Sequence, residues 1–305
     1  MTIQLRIDTV LRSDRGRHRE RNQDFVAQKE PAGAEDEARD GWLYVLADGA
    51  GGMEAGEVAS RYATERTIYH YLANHGERDW GQRLRAAMEA ANTDLRELAA
   101  EQGQSNRMAT TMVAVVFQSR QAILGNVGDS RGYLWHDGVL RQVTKDQSLV
   151  AKLVEEGIIT AEEAVNHPRK NIILGSLGAD SSPKIDLYNL ELAGNDVLFL
   201  CSDGLTRHVS DEEIAHAIGE DGEAAADHLI GLANERGGED NISVAILRYT
   251  PLVTTESNTA ATAASTATSL PLPEASGRRW LWMYTAVLGL AQIILTVLVW
   301  LLLQI

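Results

Sequence analysis

The chain has 305 residues, 28 Lys and Arg against 43 Asp and Glu, and a formal net charge of −15. That acidity argues against a nucleic-acid binder working through a basic face. The lone cysteine, Cys201, excludes a disulfide framework or a Cys-rich zinc module, and 44% hydrophobic residues exclude a wholly disordered chain.

The first residues, Met1 to Asp8, lack the charged, apolar, small order of a secretory signal. Trp42–Ala47 is an apolar run ending at Asp48-Gly49, which predicts a strand running into a turn. Glu54–Ala73 and Trp80–Ala100 read as helices, the second with Leu84, Ala87, Met88, Ala91, Leu95 and Leu98 on one stripe. Thr110–Phe117 and Ala122–Val127 are rich in β-formers. Tyr133–Trp135 and Val139–Val143 flank His136-Asp137-Gly138, the pattern of a hairpin turn. Gln147–Glu156 and Thr160–Val165 read as helices, Ile185–Leu190 and Val197–Cys201 as strands. Asp211–Ile218 and Glu223–Glu235 follow as helices, then Ile242–Leu247 as a strand. Clustered strands with paired helices between them predict an α+β domain with a largely antiparallel sheet, over residues 1–250.

Beyond Thr250 the charged side chains are Glu256, Glu274, Arg278 and Arg279, so the net charge belongs to residues 1–250. Residues 251–279, rich in Thr, Ala, Ser and Pro, read as a flexible linker. Residues 280–303 form an uncharged run with Trp280, Trp282 and Trp300 near its ends. About 20 apolar residues suffice to cross a bilayer as a helix. The run is therefore expected to be a C-terminal transmembrane helix. Arg278 and Arg279 before it would keep the domain on the cytoplasmic side of an inner membrane. A buried core helix is the other reading of the run.

Four aspartates share one setting. Asp48, Asp129, Asp203 and Asp240 each lie where a predicted strand meets a glycine-containing turn. Any one of them is explained by a side chain bonding its own turn backbone. Four together suggest hard oxygen ligands for Mg²⁺ or Mn²⁺. Near the start, Arg12, Arg15, Arg17, Arg19 and Arg21 crowd into ten residues ahead of Asn22-Gln23-Asp24. They make either a solvated basic edge or, for one of them, a guanidinium fork for an oxyanion.

Nine motifs occur in a telling order: Ser13-Asp14-Arg15-Gly16, Arg19-Glu20-Arg21-Asn22-Gln23-Asp24, Ala47-Asp48-Gly49-Ala50-Gly51-Gly52, Gly56-Glu57-Val58-Ala59-Ser60, Ala109-Thr110-Thr111, Gly125-Asn126-Val127-Gly128-Asp129-Ser130-Arg131, Thr144-Lys145-Asp146, Cys201-Ser202-Asp203-Gly204-Leu205 and Glu239-Asp240-Asn241-Ile242-Ser243. Over about residues 5–249 the chain resembles the metal-dependent, type 2C-like (PPM) serine/threonine protein phosphatases, in their bacterial branch. The resemblance implies a β-sandwich of two antiparallel sheets flanked by helix pairs. It implies that Asp48 bridges two Mn²⁺ or Mg²⁺ ions and that the Gly49 carbonyl adds a ligand. Asp203 and Asp240 would complete the second site, and Asp129 with Asp203 would hold a third ion. Arg19 would bind the phosphate and Asp24 would orient that arginine. Residues from about Asp146 to Ser182 would form a flap.

The implied reaction is attack of a metal-bridging hydroxide on phosphoserine or phosphothreonine, with no phosphoenzyme. The implied partners are phosphorylated proteins, above all a eukaryotic-like Ser/Thr kinase and its targets. Two positions depart from the family pattern. Gln23 stands where many members have Glu, and Ala50 stands where eukaryotic members carry His. Two other readings compete: a catalytically weak phosphoprotein-binding scaffold of the same fold, and a different metal phosphohydrolase. The second would need Asp-x-Asp, whereas Asp48 is followed by Gly49-Ala50.

Overall fold

The computed structural model describes residues 2–51, 54–104, 107–219 and 221–254. In chain order the elements are β1 (Thr2–Asp14), β2 (Asp24–Lys29), α1 (Ala34–Asp40), β3 (Trp42–Ala50), α2 (Glu54–Ala73), α3 (Trp80–Glu101), β4 (Ala109–Thr110), β5 (Met112–Gln118), β6 (Gln121–Val127), β7 (Arg131–His136), β8 (Val139–Gln142), α4 (Leu149–Glu155), α5 (Ala161–Val165), β9 (Asp186–Glu191), β10 (Val197–Cys201), α6 (Asp203–Thr206), α7 (Asp211–Ile218), α8 (Gly222–Glu235) and β11 (Ile242–Thr254). One sheet has the order β1-β11-β10-β7-β8. The other has β2-β3-β5-β6-β9, with β4 added against β3. Every strand pairing is antiparallel.

The central strands are apolar on both faces, and their period-two alternation deals side chains into separate layers. From β3, Leu43, Val45 and Ala47 face α2 and α3, joined by Met112, Ala114 and Val116 of β5. The intervening Tyr44, Leu46, Val113 and Val115 fill the space between the sheets. There they meet Leu198 and Leu200 of β10 and Ala245, Leu247 and Tyr249 of β11. The opposite faces of β10 and β11, with Phe199, Cys201, Val244 and Ile246, pack on Ile214, Ala225 and Leu229 of α7 and α8. The order of layers is helix pair, sheet, sheet, helix pair.

Most predicted elements lie where the pattern puts them. The exceptions are polar elements or interrupted strands. β1 and β2 are edge strands; β1 carries Arg6, Asp8 and Arg12, and β2 has only Phe25, Val26 and Ala27 between polar ends, so neither shows a long apolar run. α1 is mostly charged and stops at Gly41, whose φ of 63° lies in the left-handed region. The predicted strand 110–117 is split between β4 and β5 at Thr111, whose N–H instead bonds the Asp48 carbonyl at 2.9 Å. The predicted hairpin turn is formed by Asp137 and Gly138, both at positive φ, which matches the right-handed twist of its strands.

The fold class needs one correction, which concerns the transmembrane helix. Among the described residues no helix is long and apolar enough to cross a membrane. The two longest, α2 and α3, carry Glu57, Arg61, Glu65, Arg85, Glu89 and Glu97 along their lengths, which lipid would not tolerate. The expected span 280–303, and the expected linker beyond residue 254, lie outside the described residues.

Candidate metal centre

The two sheets bring one set of strand ends together. Asp24 opens β2 and stands opposite Asp48 near the end of β3. Asp203 starts α6 just after β10, and Asp240 precedes β11, the partner of β10. Asp129 lies in the turn between β6 and β7. Thus the four strand-end aspartates singled out from the sequence, and Asp24 with them, share one electrostatic neighbourhood. Burial pushes the Asp48 carboxyl well above its usual range, and Asp24, Asp203, Asp129 and Asp240 push it further. Asp24 and Asp129 are each raised to about 7, chiefly by burial and then by like charge. Asp203 is also raised by burial, which Arg207 partly offsets.

Local chemistry makes this clustering possible. The Asp48 carbonyl accepts from the Thr110 hydroxyl at 2.8 Å and from the Thr111 N–H at 2.9 Å. Gly49 N–H donates to the Gln23 carbonyl at 3.0 Å. A Cβ on Gly49 would fall 2.1 Å from the Gly56 carbonyl oxygen and 2.7 Å from that of Gln23, so no side chain fits there. Ser202 donates to Asp24 Oδ2 at 2.7 Å. Asn241 ties down the arginine-rich loop: its Nδ2 donates to the Arg15 and Arg21 carbonyls, and its Oδ1 accepts from Gln23 N–H. The buried Gln23 side chain donates to the Gly51 carbonyl at 3.2 Å.

The crowded arginines part company. Arg12 pairs with Glu223 and Asp227 on α8, and Arg21 with Glu54 and Glu57 on α2. Arg19 reaches the carboxylates, its Nη2 donating to Asp240 Oδ2 at 2.8 Å. Its partner is thus Asp240, whereas Asp24 is engaged by Ser202. Arg207 was not singled out in the sequence. It forks across the group, with Nη2 on Asp203 Oδ2 and Nη1 on Asp240 Oδ2 at 3.2 Å. Its signal was available, since Asp203 and Arg207 are four apart and face one another on any helix.

Among the described residues, no three His, Cys, Asp or Glu side chains close into a metal cage by themselves. Guanidinium groups hold two of the carboxylates instead. The donor set nevertheless suits hard divalent cations. It is all oxygen and strongly self-repelling, and Oδ1 of Asp24, Asp129 and Asp203 is in each case buried without a hydrogen-bond partner. Burial raises the Cys201 thiol, so it is inert core rather than a nucleophile.

A cavity of about 700 Å³ opens beside these groups. Asp129, Asp203 and Arg207 line its inner wall, Val150, Val154 and Val165 its outer one. The outer wall belongs to the expected flap, which contains α4 and α5. The segment is fastened at both ends. Arg131 grips Asp146 through Nε and Nη2 at 2.8–3.0 Å, and Leu177 bridges to Thr110.

The family described as Protein phosphatase 2C matches residues 15–229. A relative from Listeria monocytogenes, "Serine/threonine phosphatase stp", is 38% identical over 246 residues, 78% of this chain and 94% of its own. "Serine/threonine protein phosphatase PstP" of Mycobacterium tuberculosis is 39% identical over 239 residues, 78% of this chain and 44% of its own. The crystal structure of that phosphatase superposes with a TM-score of 0.71 at 38% identity, covering 80% of this chain and 99% of that one. A structure of the PstP catalytic domain in complex with 2 manganese ions superposes with a TM-score of 0.69 at 37% identity, covering 82% of this chain and 100% of that one.

Proposed function

The chain belongs to the protein phosphatase 2C family of metal-dependent serine/threonine phosphatases, and on that premise we propose that it removes phosphate from phosphoserine and phosphothreonine in proteins. The observation that carries this reading is the buried carboxylate cluster, in which three unpartnered oxygens and mutual repulsion call for bound cations. Asp48, the Gly49 carbonyl, Asp203 and Asp240 would hold two divalent ions, Mn²⁺ or Mg²⁺. Asp129 with Asp203 would hold a third. When bound, such ions lower the pKa of water near phosphorus and neutralise the phosphate oxygens.

The chain's own residues supply position and charge. Arg19, exposed over 46% of its side chain, meets the phosphate oxygens as a guanidinium fork. Asp24, held by Ser202, keeps the floor of the site in register with β10. The cavity under α4 and α5 receives the phosphorylated segment, with Lys145 and Lys170 on its wall. Ala50 has no proton to give, so solvent protonates the departing serine or threonine oxygen. The physiological substrates we propose are a Ser/Thr kinase and its targets.

The test is hydrolysis of a phosphothreonine peptide by the full-length protein, with Mn²⁺ and with EDTA. Turnover should require the ion, and Asp203→Asn and Asp240→Asn should each reduce kcat/KM by about 10²-fold or more, as loss of a principal transition-state stabiliser does. Metal-independent turnover, or full activity in both variants, would refute the proposal.

A further inference from the structure

The most unusual feature of the site is a cation already inside it. Arg207 follows α6 and bridges two carboxylates from different segments, Asp203 at the start of α6 and Asp240 in the loop before β11. Its side chain is 22% exposed and those of the two acids 16% and 15%, so solvent screens the pairs weakly. The Asp240 oxygen that Arg207 bonds is also the one that Arg19 bonds. The other Asp240 oxygen accepts the Asn241 N–H at 2.9 Å. Asp240 therefore has no uncommitted oxygen in this arrangement, while Asp203 keeps only its buried Oδ1. Arg207 also lines the cavity together with Asp129 and Thr206, which gives a displaced guanidinium somewhere to go.

We propose that Arg207 is a built-in counter-cation that competes with the divalent ion for Asp203 and Asp240 and so sets how tightly that ion is held. The inference rests on the reading of those two aspartates as metal ligands. A guanidinium in the fork makes the metal-free fold tolerable, because it offsets repulsion between buried carboxylates. The same contacts must be given up, at least in part, when a doubly charged ion takes both acids. The free energy of breaking them is subtracted from metal binding.

The experiment is titration of metal-free full-length protein with Mn²⁺, following the free ion by electron paramagnetic resonance, for wild type, Arg207→Gln and Asp240→Asn. Arg207→Gln is expected to bind Mn²⁺ about tenfold tighter than wild type, the change expected for one contact of ordinary strength. It should also melt at a lower temperature than wild type without metal, so that Mn²⁺ widens its melting shift. Equal or weaker Mn²⁺ binding by Arg207→Gln would overturn the inference alone. Wild type that binds no Mn²⁺, or binds it equally after Asp240→Asn, would overturn the metal reading beneath it. Should Arg207→Gln fail to fold, the wild-type protein decides: the Arg207 side-chain ¹⁵Nε resonance should move on saturation with Mg²⁺. An unmoved resonance would overturn the inference.

Discussion

Ser202 donates to Asp24 Oδ2, and its hydroxyl oxygen accepts the Ser243 N–H at 3.0 Å. One small side chain thus joins β2 to β10 and β11 beneath the carboxylates. Ser202→Ala would strip a donor from a buried carboxyl group, which costs about 1–3 kcal/mol. Urea denaturation of the metal-free protein should show that loss, and an unchanged midpoint would deny the contact its role. Gly49 is constrained differently. Its φ is ordinary, but the Gly56 carbonyl lies where a Cβ would stand. Gly49→Ala should therefore push β3 away from the start of α2, lowering both the melting temperature and Mn²⁺ affinity. Retention of both would show that the strand end yields without cost.

Elements away from the site are pinned by buried charge. Arg83 on α3 is 2% exposed and donates to the Tyr71 and Arg39 carbonyls and to Asp40 Oδ1, at 2.7–2.8 Å. It also stacks 4.2 Å above the Tyr71 ring, so α1, α2 and α3 meet at one guanidinium. Arg83→Ala would leave the Asp40 carboxylate buried with only Arg39 and His75 near it. Breaking a buried pair in this way costs about 3–5 kcal/mol. Equilibrium unfolding near neutral pH should report that figure, and a loss below about 1 kcal/mol would place the pair among surface bridges. Burial raises the Asp40 pKa, but hydrogen bonds from Arg83 and Arg39 outweigh it and the net shift is downward. A lowered carboxyl stabilises the fold above its unfolded pKa, and that contribution disappears as pH falls through the folded value. The extra acid sensitivity of wild type should accordingly be reduced in Arg83→Ala, where Arg39 alone still lowers the Asp40 carboxyl by hydrogen bonding.

Across the whole molecule the two kinds of carboxyl oppose each other. Asp40 and Asp94 are shifted down by their cationic partners and favour folding as pH rises through the acid range. Asp24 and Asp129, raised to about 7 by burial and like charge, act in the reverse sense. The folded state binds more protons at these sites than the unfolded chain, so their contribution declines as pH rises from about 4 to about 7. Divalent ions held there as proposed would neutralise this cluster and, by binding only the folded state, would raise its stability. The metal-free protein should therefore melt at a lower temperature at pH 7.5 than at pH 5.5, and the rise on adding Mn²⁺ should be larger at pH 7.5. Differential scanning calorimetry with EDTA and with Mn²⁺ checks both; equal shifts at the two pH values would contradict the reading.

The sequence by itself determined the core elements, because their information is local. The unbroken apolar runs 42–47 and 197–201 follow from burying both faces of a strand, and the stripe from Leu84 to Leu98 from burying one face of a helix. The edge strands β1 and β2 and the helix α1 left no such trace, since their stability comes from pairing and packing with distant residues. The same division runs through the site. Glycine-containing turns at strand ends picked out Asp48, Asp129, Asp203 and Asp240 one at a time. Only the antiparallel register of two sheets brought them, with Asp24, into one field, where burial and like charge raise the carboxyls of Asp24, Asp48, Asp129 and Asp203. Tertiary structure also decided that Arg19, out of five neighbouring arginines, is the one that reaches Asp240, and that Arg207 spans two of the carboxylates. Spacing along a chain can nominate a charge, but Coulomb energy depends on distance in space, which the fold alone supplies.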